Sequence, residues 1–522
     1  MRTLVEIVAG HAAARPHALA FIGDHTRLTW REYDERSSGL ARSLVESGIE
    51  RGDRVGVVLP DGPEVHICYL GIEKAGAVIV GIGARAGERE IEDLLTKTGS
   101  SLLLTDAPSP EWGEAATSGA AVAERRGIPV RVVGEEELRH GAGPTSGSVL
   151  DGRSVGPEDL WLLNSTSGTT GLPKCVMHHQ GRWLSFHELA VGAGGLRASD
   201  VFMSVLPAPF GFGIWTAHVT PTLLGVPCVL TARFDADACL EIIERERVSV
   251  LAAVSTQLVM LTKASTFASR DLSSLRIVFT GGEMVPYAST AALEDRAGCA
   301  VLQFYGSNET GALSRTTLSD DREHRLRTAG RVIPHMKVRL LDEREGRAPV
   351  DMTAVGGPGV ATCRGPLTSL GYYDDPEANA ALITPDGWMR TGDVCTLDPD
   401  GYLSVVGRAS DFIIRGGKNI SAAQVEDEVA SHPSVTLVAA VAIPDEVFGE
   451  RVCVFVEVAD PASPLTLDAL RVHLEGRGVG KELWPERLEV VAAIPRSSGG
   501  KVAKGELRAA AARLATAERA RG

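Results

Sequence analysis

Helical and strand signals alternate along the chain as far as Gly282, and this alternation leaves few architectures open. Thr29 to Val45 places Trp30, Tyr33, Leu40 and Leu44 on one helical face, and Thr29 with Glu32 has the spacing of a capping box. Arg54 to Leu59 then reads as a strand and Glu64 to Lys74 as a helix. The pattern returns with Asp200 to Leu206 as strand, Ala236 to Arg245 as helix, Ser249 to Val254 as strand and Arg276 to Thr280 as strand. Such βαβ units predict an α/β fold on largely parallel, covered sheets. From about Lys337 the runs become short and β-type, at Val338 to Leu341, Gly359 to Cys363 and Tyr402 to Val406, which predicts a β-rich subdomain.

A compact α+β unit is expected beyond a boundary near 407 to 411. Its strands are read at Phe412 to Ile414, Val435 to Ile443, Val452 to Val458 and Arg487 to Val491, and its helices at Ala422 to Ser431 and Leu467 to Gly476. The Gly- and Ala-rich stretch 114 to 156 reads as surface loop or a weakly structured excursion, and the end from Glu506 as a terminal helix or tail.

Composition narrows the function. With 522 residues, 44% of them hydrophobic and 23% charged, the chain has the apolar material for a large core and lacks a disorder signature. A net charge of −14 argues against a nucleic-acid partner. The eight cysteines contain no C-x-x-C pair, so neither a zinc framework nor a dense disulfide scaffold is expected, and a reducing cytoplasm fits best. Apolar runs such as Ala77 to Val80 fall far short of the ~20 residues that span a bilayer, so no transmembrane segment is expected.

The most informative segment is Ser165-Thr166-Ser167-Gly168-Thr169-Thr170-Gly171-Leu172-Pro173-Lys174, which follows the apolar Leu160-Trp161-Leu162-Leu163. A strand that delivers hydroxyls and glycines into a tight turn offers backbone N–H groups, O–H groups and one ammonium to phosphate oxygens. It is not a Walker loop, because Gly168 and Gly171 stand too close together and no Gly-Lys-Ser/Thr follows. A polar surface turn is the bland alternative, and Lys174 after the rigid Pro173 weighs against it.

This segment resembles the phosphate loop S/T-S-G-T-T-G-x-P-K of the adenylate-forming superfamily, which includes acyl-CoA synthetases, luciferase-like enzymes and peptide-synthetase adenylation domains. The resemblance continues in order. Gln303 to Glu309 resembles Y-G-x-T-E, Trp388 to Asp393 resembles W-x-x-T-G-D, Gly407-Arg408 onward resembles the G-R-x-x-D hinge, and Ile494 to Lys501 resembles the P-R-x-x-x-G-K lysine motif. The implied organisation is an N-terminal adenylate-forming domain over 1–407, a hinge over 408–411 centred on Ser410, and a small mobile C-terminal domain over 412–522.

The implied substrates and cofactors are ATP with Mg²⁺, a small-molecule carboxylic acid and CoA. The implied nucleotide contacts are Thr166, Ser167, Gly168, Thr169, Thr170, Gly171, Lys174, Glu283, Tyr305, Gly306, Asn308, Asp393 and Arg408. Within that set Tyr305 beside Gly306 supplies an aromatic face for adenine, Glu309 holds the metal, and Asp393 on a Thr-Gly-Asp turn accepts from ribose hydroxyls with Arg408 as a second contact. Lys501, Glu309 and Lys174 are the implied catalytic set, because in-line attack of a carboxylate on the ATP α-phosphate needs cations on both reacting oxygens. Lys504 is the competitor of Lys501.

The acyl end resembles the aromatic loop of the superfamily, with Phe210, Phe212, Trp215, Gly281 and Gly282 as an apolar pocket, although such a cluster also reads as core. Gly211 stands where amino-acid-activating relatives carry a carboxylate, so an α-amino acid is disfavoured. Gly416 and Gly417 are the implied pantetheine face. Asn308 stands where the superfamily usually has Thr and can still donate to phosphate, so adenylation is expected to survive, whereas Ser410, Ala422 and Gln424 depart from the usual residues and leave two acceptors open after adenylation: CoA, the favoured one, or a carrier protein or separate partner. A silent adenylate-binding regulator is the remaining alternative, and the joint presence of Lys174, Glu309, Asp393, Arg408 and Lys501 argues against it.

Overall fold

The computed structural model describes residues 2–106, 113–134, 149–166, 174–282, 285, 287–342, 350, 351, 353, 357–416, 418–460, 465–496 and 502–519. It is a mixed α/β chain of two compact units. One gathers the described residues of Met1–Thr166, Leu172–Lys337 and Cys363–Met389, the other those of Val338–Thr362 and Arg390–Gly522.

Two sheets organise the first unit. In the six-stranded sheet, Val130–Val132, Leu102–Thr105, Arg54–Val58, Val78–Ile82 and Leu160–Ser165 run parallel in that spatial order, and Cys175–His179 closes the edge antiparallel to Leu160–Ser165. The nine-stranded sheet has six parallel strands at its centre, among them Phe202–Ser204, Val250–Ala252, Ile277–Gly281 and Ala300–Ser307, with antiparallel strands at both edges. Parallel strands are joined through crossover helices, which cover the faces of the sheet and leave its central strands mostly apolar. Val78–Ile82 is buried at every position.

The first long helix forms where the apolar spacing predicts it, over Trp30–Glu46. Thr29 Oγ1 accepts from Glu32 N at 3.3 Å, and Thr29 N donates to the Glu32 carboxylate at 2.9 Å, so the capping box is complete. Trp30, Tyr33, Leu40 and Leu44 are all buried.

The expectation of a loop over 114 to 156 is corrected. Gly113–Arg125 is a helix and Val130–Val132 a strand of the six-stranded sheet. Val122 and Ala123 are fully buried against Leu94, Leu95 and Leu103. Gly119 lies against the sheet as well, where a Cβ would meet Leu103 at 3.6 Å and Val58 at 3.8 Å, so alanine would fit there equally. Small residues bury a helix face as well as large ones do when the neighbour comes close, and their low hydropathy contrast conceals the face in the sequence. The excursion 135–148 lies outside the described residues.

In the second unit, Lys337–Asp342, Gly359–Arg364, Met389–Leu397 and Leu403–Arg408 belong to a five-stranded sheet, which is the β-rich section expected there. The remaining sheet pairs Val435–Asp445 with Gly449–Val458 antiparallel and adds Arg487–Val490 parallel. Its strands alternate between two helical layers. Val438, Ala440, Val454 and Val456 meet Val425, Val429, Leu470 and Leu474 on one face, whereas Ala439, Val441, Cys453 and Phe455 meet Leu507, Ala511 and Ala515 on the other. The end of the chain is therefore a packed helix over Lys504–Arg519. All eight cysteines are buried and unbridged.

Candidate active site

The phosphate-loop segment begins at the end of the Leu160–Ser165 strand. Thr166 N donates to Lys174 O at 2.9 Å, so the two ends of the segment pair across it, and Ser167, Gly168, Thr169, Thr170 and Gly171 lie outside the described residues. Lys174 Nζ stands 4.9 Å from the centre of the Tyr372 ring. The Tyr372 hydroxyl in turn donates to Glu309 Oε1 at 2.8 Å. Burial, and then the Glu309 carboxylate, raise the Tyr372 phenol, so it remains a protonated donor. Lys174, Tyr372 and Glu309 thus form one group, and the sequence motifs contain only two of them.

Glu309 sits on a tight turn that the chain is built to make. Ser307 N donates to Thr310 Oγ1 at 2.9 Å and Thr310 N to Ser307 Oγ at 3.2 Å, which closes the hairpin between Ala300–Ser307 and Gly311–Arg315. A Cβ on Gly306 would stand 1.8 Å from Gly311 O, so only glycine fits beside Tyr305. From the other side Ser369 N donates to Glu309 O at 2.6 Å. The same turn fixes Asn308, whose Oδ1 accepts from Gly211 N at 3.0 Å and whose Nδ2 donates to Ser165 O at 3.2 Å.

Around the aromatic loop, Phe212 stacks on Trp215 with ring centres 5.4 Å apart. Trp215, 2% exposed, also touches Phe186, Phe279 and Phe304 and so belongs to an aromatic core. It lies in a π-helical stretch, Ile214–Val219, a departure from regular helix that recurs at functional sites. Phe210 stands just before this helix and is half-buried. At Gly281 a Cβ would come within 2.2 Å of Phe304 O, so close approach of the neighbouring strand demands the glycine, and Gly282 adopts a left-handed φ of 80°. Asp61 accepts from Ala208 N at 2.6 Å at the entrance of the loop, and burial pushes its carboxyl up to about 7.

Asp393 and Arg408 lie in the second unit and face each other across paired strands, with Arg408 Nε 3.3 Å from Asp393 Oδ1. The expected turn at Asp393 is corrected to a position inside the strand Met389–Leu397. Gly392 at φ 77° kinks that strand, and Asp393 N donates to Thr391 Oγ1 at 3.0 Å. Gly416 N donates to Phe448 O at 2.8 Å. Ser410 falls in the 3-10 turn Ala409–Asp411. Glu283, Gly417 and Lys501 lie outside the described residues. A bridge between Arg496 and Val502 flanks the lysine segment. Lys504, the competing lysine, is engaged with Glu426 at 2.8 Å and Asp411 at 3.5 Å, and Arg508 also pairs with Asp411.

Tyr372, Arg182, His178, Asn164 and Asp61 are the site's additions to the residues expected from sequence. One signal was available: Asn164 is a polar residue in the interior of an apolar strand, and it pairs in space with a histidine from the next strand. Among the described residues no three His, Cys, Asp or Glu side chains gather as a metal cluster. Mg²⁺ takes one or two carboxylates plus substrate phosphates, so a single oriented Glu309 carboxylate fits that ion.

The chain belongs to the AMP-binding enzyme family, whose model matches residues 8–373, and the AMP-binding enzyme C-terminal domain matches residues 424–501. It is 30% identical over 510 residues to the medium-chain fatty-acid–CoA ligase of Escherichia coli strain K12, covering 95% of this chain and 88% of that one. It is 34% identical over 501 residues to a feruloyl-CoA synthase of Amycolatopsis sp, covering 95% and 96%. Among solved structures, the amide bond synthetase McbA of Marinactinospora thermotolerans superposes with a TM-score of 0.81 at 29% identity, covering 97% and 99%. No helix among the described residues is long and apolar enough to cross a membrane.

Proposed function

We propose that the protein activates a non-amino carboxylic acid with ATP and Mg²⁺, releases pyrophosphate, and transfers the acyl group from the adenylate to CoA. The grouping of Lys174, Tyr372 and Glu309 at the mouth of the phosphate-loop segment carries this reading. Lys174 offers an ammonium to the β- and γ-phosphate oxygens, and the Tyr372 hydroxyl aims the Glu309 carboxylate. Bound there, Mg²⁺ supplies charge neutralisation on the phosphates. Thr166 to Gly171, Glu283, Tyr305, Gly306 and Asn308 contribute the remaining nucleotide contacts, and Asp393 with Arg408 holds the ribose. Phe210 walls the acid carboxylate.

Lys501 serves as the cation on the reacting oxygens. Lys504 is committed to Glu426 and Asp411, which leaves Lys501 the better candidate. Residues 408–411 act as the hinge between 1–407 and 412–522, with Ser410 as pivot and Gly416 and Gly417 facing the pantetheine thiol. Eight buried, unbridged cysteines suit a cytoplasmic setting.

The acceptor is the part of this reading with a rival. The likeness to an amide bond synthetase favours a second reading, in which an amine or a carrier protein, and not CoA, takes the acyl group. Incubation with ATP, Mg²⁺ and a panel of acids, with and without CoA, tests both by mass spectrometry of the products. Acyl-CoA is expected; acyl adenylate that persists unchanged in the presence of CoA contradicts the thioester step.

A further inference from the structure

Asn164 is fully buried in an apolar strand, where an amide without partners would cost roughly 1–3 kcal/mol. Both polar atoms of its side chain are engaged in one chain of hydrogen bonds. Its Nδ2 donates to Pro209 O at 2.7 Å, and its Oδ1 lies 2.8 Å from His178 Nε2. His178 Nδ1 lies 2.7 Å from Arg182 Nη1. A guanidinium has only donors, so His178 Nδ1 is the acceptor and the ring proton sits on Nε2, where it is donated to Asn164. Burial, and then Arg182, hold the imidazole well below its ordinary range, which keeps this one-proton form.

The same Arg182 Nη1 donates to Asn308 O at 2.9 Å. Asn308 Oδ1 then accepts from Gly211 N, where a Cβ would come within 2.6 Å of that oxygen. The two ends of this network therefore grip Pro209 O and Gly211 N, the backbone groups on either side of Phe210. Arg182, His178 and Asn164 are buried, at 2%, 0% and 0% exposure, so the grip is shielded from bulk solvent.

We propose that Asn164, His178 and Arg182 are positioning residues for the acid substrate, setting the place of Phe210 by fixing both of its flanking peptide groups. This rests on the adenylate-forming reading, in which Phe210 walls the carboxylate, and adds to it the residues that determine how the acid is seated. None of the three is assigned a contact with ATP, and the Asn164 end reaches Pro209 O without passing through Asn308, so loss of that end falls on the acid.

Asn164→Leu, an apolar replacement of similar volume, removes both bonds that Asn164 makes and so frees the Pro209 end of the chain. The expected result is an acid KM raised about tenfold with the ATP KM unchanged, read by pyrophosphate release. Acid and ATP constants that rise together, or that both stay at the parental value, overturn the proposal. Should that variant fail to fold, Arg182→Lys keeps the charge but shortens the donor that reaches His178 Nδ1 and Asn308 O, and the same split toward the acid is expected; a rise confined to the ATP KM overturns it. Wild-type protein that releases no pyrophosphate with any acid contradicts the underlying reading together with this one. An active wild type with unsplit variant constants overturns this inference alone.

Discussion

The role proposed for Glu309 depends on one neighbour. A carboxylate on a short turn has rotamer freedom, and the 2.8 Å bond from the Tyr372 hydroxyl removes it. Tyr372→Phe keeps the ring under Lys174 and deletes only that bond. Adenylation efficiency is expected to fall about tenfold, with a higher Mg²⁺ requirement, because a hydrogen bond to a charged group contributes about 1.5–3 kcal/mol. Pyrophosphate release across a Mg²⁺ titration checks this, and a parental Mg²⁺ profile would mean that Glu309 is oriented by something else. Glu309 and Lys174 were legible in the sequence because both lie in short motifs. Tyr372 was not, since it lies 63 residues beyond Glu309 and carries no motif of its own.

At the scale of elements, the helix Pro63–Ala75 places several titratable groups in the core, and their protonation sets the pH dependence of stability. Burial pushes the Glu73 carboxyl up to about 7, with the bond from Trp161 Nε1 at 3.1 Å acting against that shift. A carboxyl raised in the folded state stabilises below its ordinary range, and that contribution is lost as pH rises through about 7. Glu73→Gln retains an acceptor for Trp161 and cannot ionise. Its melting temperature relative to wild type is therefore expected to climb as pH goes from about 5 to about 8, by the equivalent of at most about 3 kcal/mol. The buried neutral histidines His66, His178 and His218 work in the opposite direction but are common to both proteins, so they cancel in the difference. A difference that is flat with pH would show that Glu73 titrates normally.

Elements also mark how far the sequence could be read. The helix Trp30–Glu46 and the strands of the second unit were legible because large apolar residues recur at the helical or strand period. The helix Gly113–Arg125 was not, since its buried face is made of alanine, glycine and valine and shows little contrast. Asp393 reads as a turn residue because glycine precedes it, yet the strand continues through Gly392 with a kink. In each case partners distant in sequence decided the outcome.

For the whole molecule, the ordered motifs spread over the chain make the family legible in the amino-acid sequence, whereas the identity of the acid has no such signature. The lysine motif near the end of the chain carries the sharpest expectation. Lys501→Ala should sharply reduce adenylate formation while nucleotide binding persists, because the ammonium is needed at the reacting oxygens and the grip on ATP is made elsewhere. Calorimetry of ATP binding beside pyrophosphate release separates the two, and a variant that adenylates at the parental rate removes Lys501 from its role.

The central claim is that ATP is split at its α-phosphate by a carboxylic acid. Quantifying AMP and pyrophosphate over a broad acid panel tests it most directly. The account predicts acid-dependent formation of the two in equal amounts; formation of ADP and phosphate, or no acid-dependent turnover with any acid, would contradict it.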